Sequence, residues 1–571
     1  MHVVTSLDEI FDFVIVGSGG GSMCAALFMK AQGKEPVILE KSDKVGGTTA
    51  RSGGVMWIPN NRFMKRDGVE DSYDKALRYL EATAGQSQDA PGSTPERRAA
   101  YVSEGPKMID FLVDHGIELT RVAYWPDYYD ERDGGSEQGR TVVAELFDKN
   151  QLPKEWRSKL EPSFLNIPAR MTESFTLATF NRSWAGKKML AKVMLRGLVA
   201  KLTGKNWVTA GNALQGRMLQ AALKAQVDIR AGCGVTDFIT DETGAVTGVV
   251  TLKDGKPWRI GARSGVLVNA GGFSHNQAMR DKYQPGTSKE WTGVPRGNTG
   301  EMIQKMEALG AQLAQMEEMV GNQMVIPPGR GNHGDGVALA GISGQMDIAK
   351  PHSIVVDRSG VRYMNEGGSY MEFCQNILKR NREVPAIPSH WIIDSQWMNS
   401  FMLAGTMAGP KKPAEWFESG FLKKADTIEE LAAMIDVAPA TLKATIDRWN
   451  ADVRAGSDTQ FHRGERAYDR FLGDTVRDGK AQALGTIEKA PFYAMPVVPG
   501  DVGTYGGVVT DAHARVLRSD GSVIEGLYAT GISTASVMGR YYPGAGSSIG
   551  PSFTWGYVAA KHASGAGNSA G

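Results

Sequence analysis

The chain opens on a mixed segment and then turns apolar for Phe13-Val14-Ile15-Val16. A short run that is apolar throughout and β-branched predicts a parallel strand buried on both faces. Gly17, Gly19, Gly20 and Gly21 follow at once. The pattern next predicts a helix over 22–32, with Ala25, Ala26 and Leu27 against a sheet, and a strand over 36–39 ending at Glu40. Helices are expected over 73–84 and 95–115, the second with Thr94 as N-cap before Pro95. A helix over 212–225 precedes β-structure over 231–240 and 246–252, with a turn near 241–244. A buried strand over 266–270 runs into Gly271-Gly272, and Gly297-Asn298-Thr299-Gly300 opens a helix over 301–309. From 330 to 490 the pattern is mixed. Strands are expected over 353–357 and 390–394 and helices over 426–435 and 439–451, with Asp426 and Glu429 as a capping pair. The end of the chain predicts a strand closing at Gly531, a glycine-rich turn over 539–546, a helix over 553–562 and a frayed tail.

A strand, a glycine turn, a helix and a second strand with an acid about twenty residues past the glycines make up a dinucleotide fingerprint. Gly17 permits the tight turn, Gly19 lets backbone approach a pyrophosphate, and the helix start offers N–H groups to its charge. Glu40 is placed to accept hydrogen bonds from a ribose. Ser22 stands where the fingerprint has its third glycine, and its small side chain still allows close helix–strand packing. A second cluster follows directly: Gly46-Gly47-Thr48-Thr49-Ala50-Arg51-Ser52-Gly53-Gly54. A nicotinamide cofactor has no use for it. A longer cofactor does, because hydroxyls and bare backbone N–H groups can hold a second phosphate and approach an isoalloxazine ring. FAD is therefore favoured over NAD.

At 571 residues the chain is long enough for two or three domains. A net charge of +1 gives no support for nucleic-acid binding. Cys24, Cys233 and Cys374 are scattered, so neither a metal site nor a disulfide framework is expected, and a reducing, cytoplasmic compartment fits. The N-terminus carries acids in place of a basic region, so no signal peptide is expected. The uncharged stretch 13–29 is broken by glycines and explained by the fingerprint, not by a membrane span.

Residues 184–207 stand apart. They contain no acid, Lys188, Lys192 and Arg196 recur every four residues, and Trp184 and Trp207 close the ends. Met189, Leu190, Val193, Met194, Leu198, Val199 and Leu202 fill the other faces. Such a basic amphipathic helix is too short and too charged to span a bilayer. It suits lying on an anionic membrane surface, the inner face of the cell membrane in this reading, or docking as a solvated helix on its own domain.

The chain's 9 histidines show no ligand spacing, and no Ser/His/Asp or Cys/His set is signalled. The aromatic run 123–129 reads either as a core plug or as the wall of an apolar pocket. The candidate chemistry is a flavin as hydride acceptor with a tyrosine handling a proton, its phenolate stabilised by a neighbour. Spacing alone does not choose among 16 tyrosines. The motifs VGSGGG, LEK with GGTTARSGG, WPDYY, RYMNE, FHRGE and GRYYPGAGSSIG together closely resemble the 3-ketosteroid Δ1-dehydrogenases, FAD enzymes of the succinate dehydrogenase/fumarate reductase flavoprotein superfamily. The likeness runs from the first strand to the last helix and omits chiefly 150–207.

This resemblance implies an α/β fold: a Rossmann-like FAD-binding domain over 1–325 and 493–571, with a basic insert at 150–207, and an α+β catalytic domain over 326–492, as in fumarate reductase flavoproteins. It implies FAD contacts at Gly17, Ser18, Gly19, Gly21, Ser22, Glu40, Lys41, Gly47, Thr48, Thr49, Ser52, Gly53 and Gly54. Val235, Ala270, Gly271, Asn298, Gly531, Ser548 and Ile549 complete that set. It implies that Tyr128 assists Tyr363, the base that removes a C2 proton from a 3-ketosteroid. Tyr542 and the backbone N–H of Gly546 would bind the C3 oxygen, hydride would pass from C1 to the flavin, and a quinone-like acceptor would take the electrons. Tyr129 adjoins Tyr128 and Tyr541 adjoins Tyr542, so either member of each pair could serve. A bulky, cholestenone-like steroid and a membrane-bound enzyme are the accompanying expectations. A 3-ketosteroid Δ4-dehydrogenase, a fumarate reductase-like enzyme with Arg540 facing the flavin, and a non-catalytic flavin-binding membrane-surface protein are the competing readings.

Overall fold

The computed structural model describes residues 6–163, 167–329 and 342–566; the tail beyond them, where fraying is expected, lies outside the described residues. Its central sheet has six strands, in the order Arg515–Leu517, Val523–Ala529, Val266–Val268, Phe13–Val16, Pro36–Glu40 and Asp228–Ala231. Only Arg515–Leu517 runs antiparallel to its neighbour. Alternation along the strands explains the unbroken apolar runs. Phe13, Ile15 and Ile38 enter one core, while Val14, Val16, Val37 and Leu39 enter the core on the opposite face. With both faces covered, no position can be polar.

The helix Gly20–Ala31 lies on the first of these faces against the final helix, Ile549–Ala563. A Cβ at Gly21 would stand 2.3 Å from the Ser552 carbonyl oxygen, so this glycine serves the helix pair as well as the turn. Both helices begin earlier than the apolar pattern indicates, because Gly20, Gly21 and Ser22 in one and Gly550, Pro551 and Ser552 in the other carry no periodic apolar signal. A four-stranded sheet, Glu9–Phe11, Lys256–Ala262, Val246–Lys253 and Val235–Thr240, flanks the second face.

A second six-stranded sheet is built around the long strand Phe492–Thr504, which pairs with Met319–Val325, Ser389–Ile393 and Lys423–Ala425. The helix Tyr370–Arg380 packs on Met319–Val325, where a Cβ at Gly321 would lie 2.5 Å from the Cys374 Cβ. The capping pair expected at Asp426 and Glu429 is displaced by one residue. Thr427 accepts from the Glu430 N–H at 3.1 Å, and the Glu430 carboxylate accepts from the Thr427 N–H at 3.2 Å, a reciprocal box that a hydroxyl makes at this position.

The 150–207 segment is tied to the body where Phe147–Asp148 pairs with Trp207–Val208. Within it Trp184–Leu202 is a helix capped by Ser183, whose hydroxyl accepts from the Gly186 N–H at 2.9 Å. Glu173 anchors this helix, taking Arg196 at 2.6 Å and Lys192 at 3.0 Å. Val193 and Ala200 are buried, whereas Trp184 is 76% exposed and Leu202 78%, with Met194, Leu195, Leu198 and Val199 also exposed. Among the described residues, no helix is long and apolar enough to cross a membrane.

Candidate functional site

The fingerprint builds a cradle. Gly17 has φ +93° and a Cβ there would lie 2.3 Å from the Asn269 carbonyl oxygen, so the turn is closed to any larger residue. Glu40, at the end of its strand, accepts from the Ser18 N–H at 3.0 Å, the Ser18 hydroxyl at 2.7 Å and the Ser42 N–H at 2.9 Å. Burial raises its pKa, and these donors oppose the rise. Ser18 also accepts from the Gly46 N–H at 2.9 Å, which ties the first loop to the second. There the short helix Gly47–Arg51 carries Thr48 and Thr49, and the Thr49 hydroxyl accepts from the Gly20 N–H at 3.3 Å. Ser52 accepts from the Gly54 N–H at 3.0 Å, and Gly53 lies between them.

Other predicted positions line the same crevice. Asn269, absent from the sequence reading, donates to the Ser22 hydroxyl at 3.0 Å and sits where a Cβ on Gly531 would strike its Oδ1. The Gly271 carbonyl and the Ala270 N–H both bond the Ser533 hydroxyl, and Asn298 accepts from the Gly272 N–H at 3.2 Å. Lys41 reaches Thr299 at 3.0 Å and Glu301 at 2.7 Å, and a Cβ on Gly234, beside Val235, would lie 3.0 Å from its Cβ. Ser548 and Ile549 open the final helix. Gln215, fully buried beside Gly46, has neither amide atom bonded within the chain. An unsatisfied buried amide is costly unless a ligand meets it. That orphan, the uncapped helix start at Gly19 and the tight glycine loops fit a bound dinucleotide.

A cluster of phenols lies by the start of the final helix, where Tyr542 meets Ser548. Tyr128 stacks on Tyr468 with ring centroids 4.0 Å apart and lies 5.6 Å from Tyr370 and 5.8 Å from Tyr542. Tyr370 and Tyr542 are 4.9 Å apart. Tyr468, Gln345 and Tyr370 lie near enough to the Tyr128 hydroxyl to oppose the rise that burial gives its pKa. The Tyr542 hydroxyl meets Ser548 Oγ at 3.0 Å and faces the N–H of Gly546. Burial drives all these phenols up. It is the largest influence on Tyr128, Tyr370, Tyr468 and Tyr542 alike. Two loops hold the cluster: the Pro543 carbonyl accepts from the Tyr128 N–H at 2.8 Å and from the Tyr79 hydroxyl at 2.6 Å. Asp127, next to Tyr128, takes Trp57 Nε1 at 2.7 Å and Arg140 at 2.8 Å, and burial pushes its carboxyl up to about 6.

Tyr363 is not in this cluster. Its hydroxyl bonds Ser389 Oγ at 2.7 Å and its ring packs on the core of Phe373 and Trp391, so the expected pair with Tyr128 is absent. The cause is local. Arg362 and Glu366, on either side of it, are locked in a buried ion network with Asp458 and Arg463 that fixes the loop. The residue against Tyr128 and Tyr542 is Tyr370, the first of its helix, whose preceding Gly367-Gly368-Ser369 was the available signal. Tyr129 and Tyr541 pair elsewhere, 5.4 Å apart, with the Arg132 guanidinium 4.8 Å from each ring. Arg540 turns to Glu317, Glu318 and the Gln88 carbonyl, not to the cradle. Among the described residues no group of acids, histidines and cysteines could hold a metal.

A family model described as an FAD binding domain matches residues 12–549. The 3-oxosteroid 1-dehydrogenase of Mycolicibacterium smegmatis is 39% identical over 568 residues, 96% of this chain and 96% of that protein. The 4-oxocyclohexanecarboxylate 2-dehydrogenase of Sinomonas cyclohexanicum is 33% identical over 98% of this chain and 94% of that one. Among solved structures, the 3-ketosteroid Δ1-dehydrogenase of Sterolibacterium denitrificans in complex with 1,4-androstadiene-3,17-dione aligns with a TM-score of 0.89 and 32% identity, over 98% of this chain and 100% of that one. FAD is the cofactor of this family. The chain belongs to the 3-oxosteroid 1-dehydrogenase family of FAD-binding flavoproteins.

Proposed function

We propose that the protein introduces a C1–C2 double bond into ring A of 3-ketosteroids. The observation that carries this reading is the packing of Tyr128, Tyr370 and Tyr542 into one buried cluster beside a backbone N–H. Tyr542 and the Gly546 N–H lie side by side, two donors suited to a ketone oxygen and to the charge it gains as an enolate. Polarised in this way, the ketone makes its C2 proton acidic. Tyr370 takes that proton, and Tyr128, whose ring packs edge-on against it, stabilises the phenolate. FAD, when bound, supplies the acceptor for the hydride from C1. Burying several hundred Å² of steroid surface offers on the order of 10 kcal/mol at about 25 cal/mol per Å², enough to hold the ligand without charged contacts.

A carboxylate-bearing substrate is disfavoured. Arg466, near the phenols, is paired with Asp469 at 3.1 Å, and Arg132 is committed to its two rings and the Ala82 carbonyl. Anaerobic addition of 4-androstene-3,17-dione to the yellow holoprotein is expected to bleach the flavin and yield the 1,4-diene. A flavin that stays oxidised would defeat the assignment, and a saturated-ring steroid converted only at C4–C5 would move it to the Δ4 reaction.

The apolar face of Trp184–Leu202 supports docking on an anionic membrane surface. Exposed Lys187, Lys188, Lys201 and Lys205 complement lipid headgroups, and the Lys187 ammonium lies 4.8 Å from the Trp184 ring centroid. A sterol substrate and a quinone acceptor both dissolve there. Leu195→Glu with Leu198→Glu is expected to cut binding to vesicles rich in anionic lipid at least ~10-fold, since each buried leucine contributes ~1.5–3 kcal/mol. Unchanged partitioning in a flotation assay would exclude this surface.

A further inference from the structure

We propose that Thr141 is a positioning residue that aims the Gly546 N–H at the ketone oxygen, an inference resting on the ketone-binding role given to Gly546 above. Thr141 begins the strand Thr141–Ala144, opposite Trp57 in the neighbouring strand Val55–Trp57, and is 1% exposed. Its hydroxyl donates to the Ala545 carbonyl oxygen at 2.9 Å. That carbonyl and the Gly546 N–H belong to one planar trans peptide, so they point in opposite directions. Holding the oxygen towards the sheet turns the N–H away from it, to the side where the Tyr542 hydroxyl lies.

The adjoining peptide is held as well. The Gly546 carbonyl accepts from the Trp57 N–H at 3.3 Å and from the Gly550 N–H at 2.8 Å. Gly546 itself has φ +100°, and a glycine is the residue best able to let a flanking peptide rotate. The side-chain bond from Thr141 is what fixes the Ala545–Gly546 plane. A donor fixed before the reaction stabilises developing negative charge without reorganising, so the effect falls on the chemical step more than on substrate binding.

Thr141→Val keeps the branched shape and removes the donor, while Thr141→Ser keeps the donor. Thr141→Val is expected to slow anaerobic flavin bleaching by about 10- to 100-fold, with the steroid KM and the flavin content close to wild type. Thr141→Ser is expected to restore most of the rate. Thr141→Ala, which cannot crowd the strand, should repeat the valine result if that variant folds poorly. A wild-type rate in Thr141→Val, a defect confined to KM, or a loss that serine fails to rescue would overturn the proposal. Tyr542→Phe assayed alongside separates the two levels. If it is slow while Thr141→Val is normal, only the role of Thr141 falls; if both are normal, the ketone site itself is misassigned.

Discussion

Tyr370→Phe is expected to slow anaerobic flavin bleaching by 3-ketosteroid about 10²–10⁴-fold, the usual range for losing a general base. Phenylalanine retains the ring that packs 4.9 Å from Tyr542, so steroid binding should persist and be visible as a perturbed flavin spectrum. Tyr363→Phe is the contrasting variant. It severs only the bond to Ser389 and should leave the rate near wild type. The pH dependence follows from the same burial. The ordinary phenol pKa is near 10, and burial lifts that of Tyr370 well above it. The competent phenolate is therefore the minor form at neutral pH, and its population grows as pH rises. Wild-type bleaching should accelerate from pH 7 to pH 10 without a plateau, and Tyr370→Phe should lose that slope. A fast Tyr370→Phe with a slow Tyr363→Phe would reverse the assignment.

The strand–turn–helix–strand unit was legible because its requirements are local. Gly17, Gly19 and Glu40 all lie within it, so spacing along the chain fixes their spacing in the fold. The phenol half was less legible. Tyr363 and Tyr370 leave the same loop seven positions apart, and along the chain only the Gly367-Gly368-Ser369 run before Tyr370 sets them apart. What separates them is tertiary: the buried Arg362–Glu366–Asp458 network holds one toward Ser389, and the helix seated over Gly321 brings the other to Tyr128. Asn269 and Gln215 were missed for a related reason, since each acts on a loop far away in sequence. For the basic helix the sequence left a membrane surface and docking on its own domain both open; in the fold Glu173 ties Arg196 and Lys192 to the body while Met194, Leu195, Leu198, Val199 and Leu202 stay exposed.

Gly546→Ala is expected to abolish most turnover while leaving the flavin cradle intact. A Cβ at this position would lie 2.3 Å from the Val55 carbonyl oxygen and 2.7 Å from the Met56 nitrogen, both backbone atoms in a paired strand. Neither can yield as a side-chain tip would, so the turn must move. The backbone conformation adds its own cost, because φ +100° strains any side chain by about 1–3 kcal/mol. A displacement of even half an ångström withdraws the N–H from the ketone oxygen, and losing one such donor costs ~10²–10³ in rate. The flavin loops at Gly17 and Gly46 lie on other elements, so flavin content should hold while bleaching collapses. Thr141→Val, which reorients the same N–H without moving the turn, should show a smaller loss of the same kind, in rate more than in KM. If Gly546→Ala loses flavin as well, its defect is one of folding, and the valine variant alone then measures what the N–H contributes.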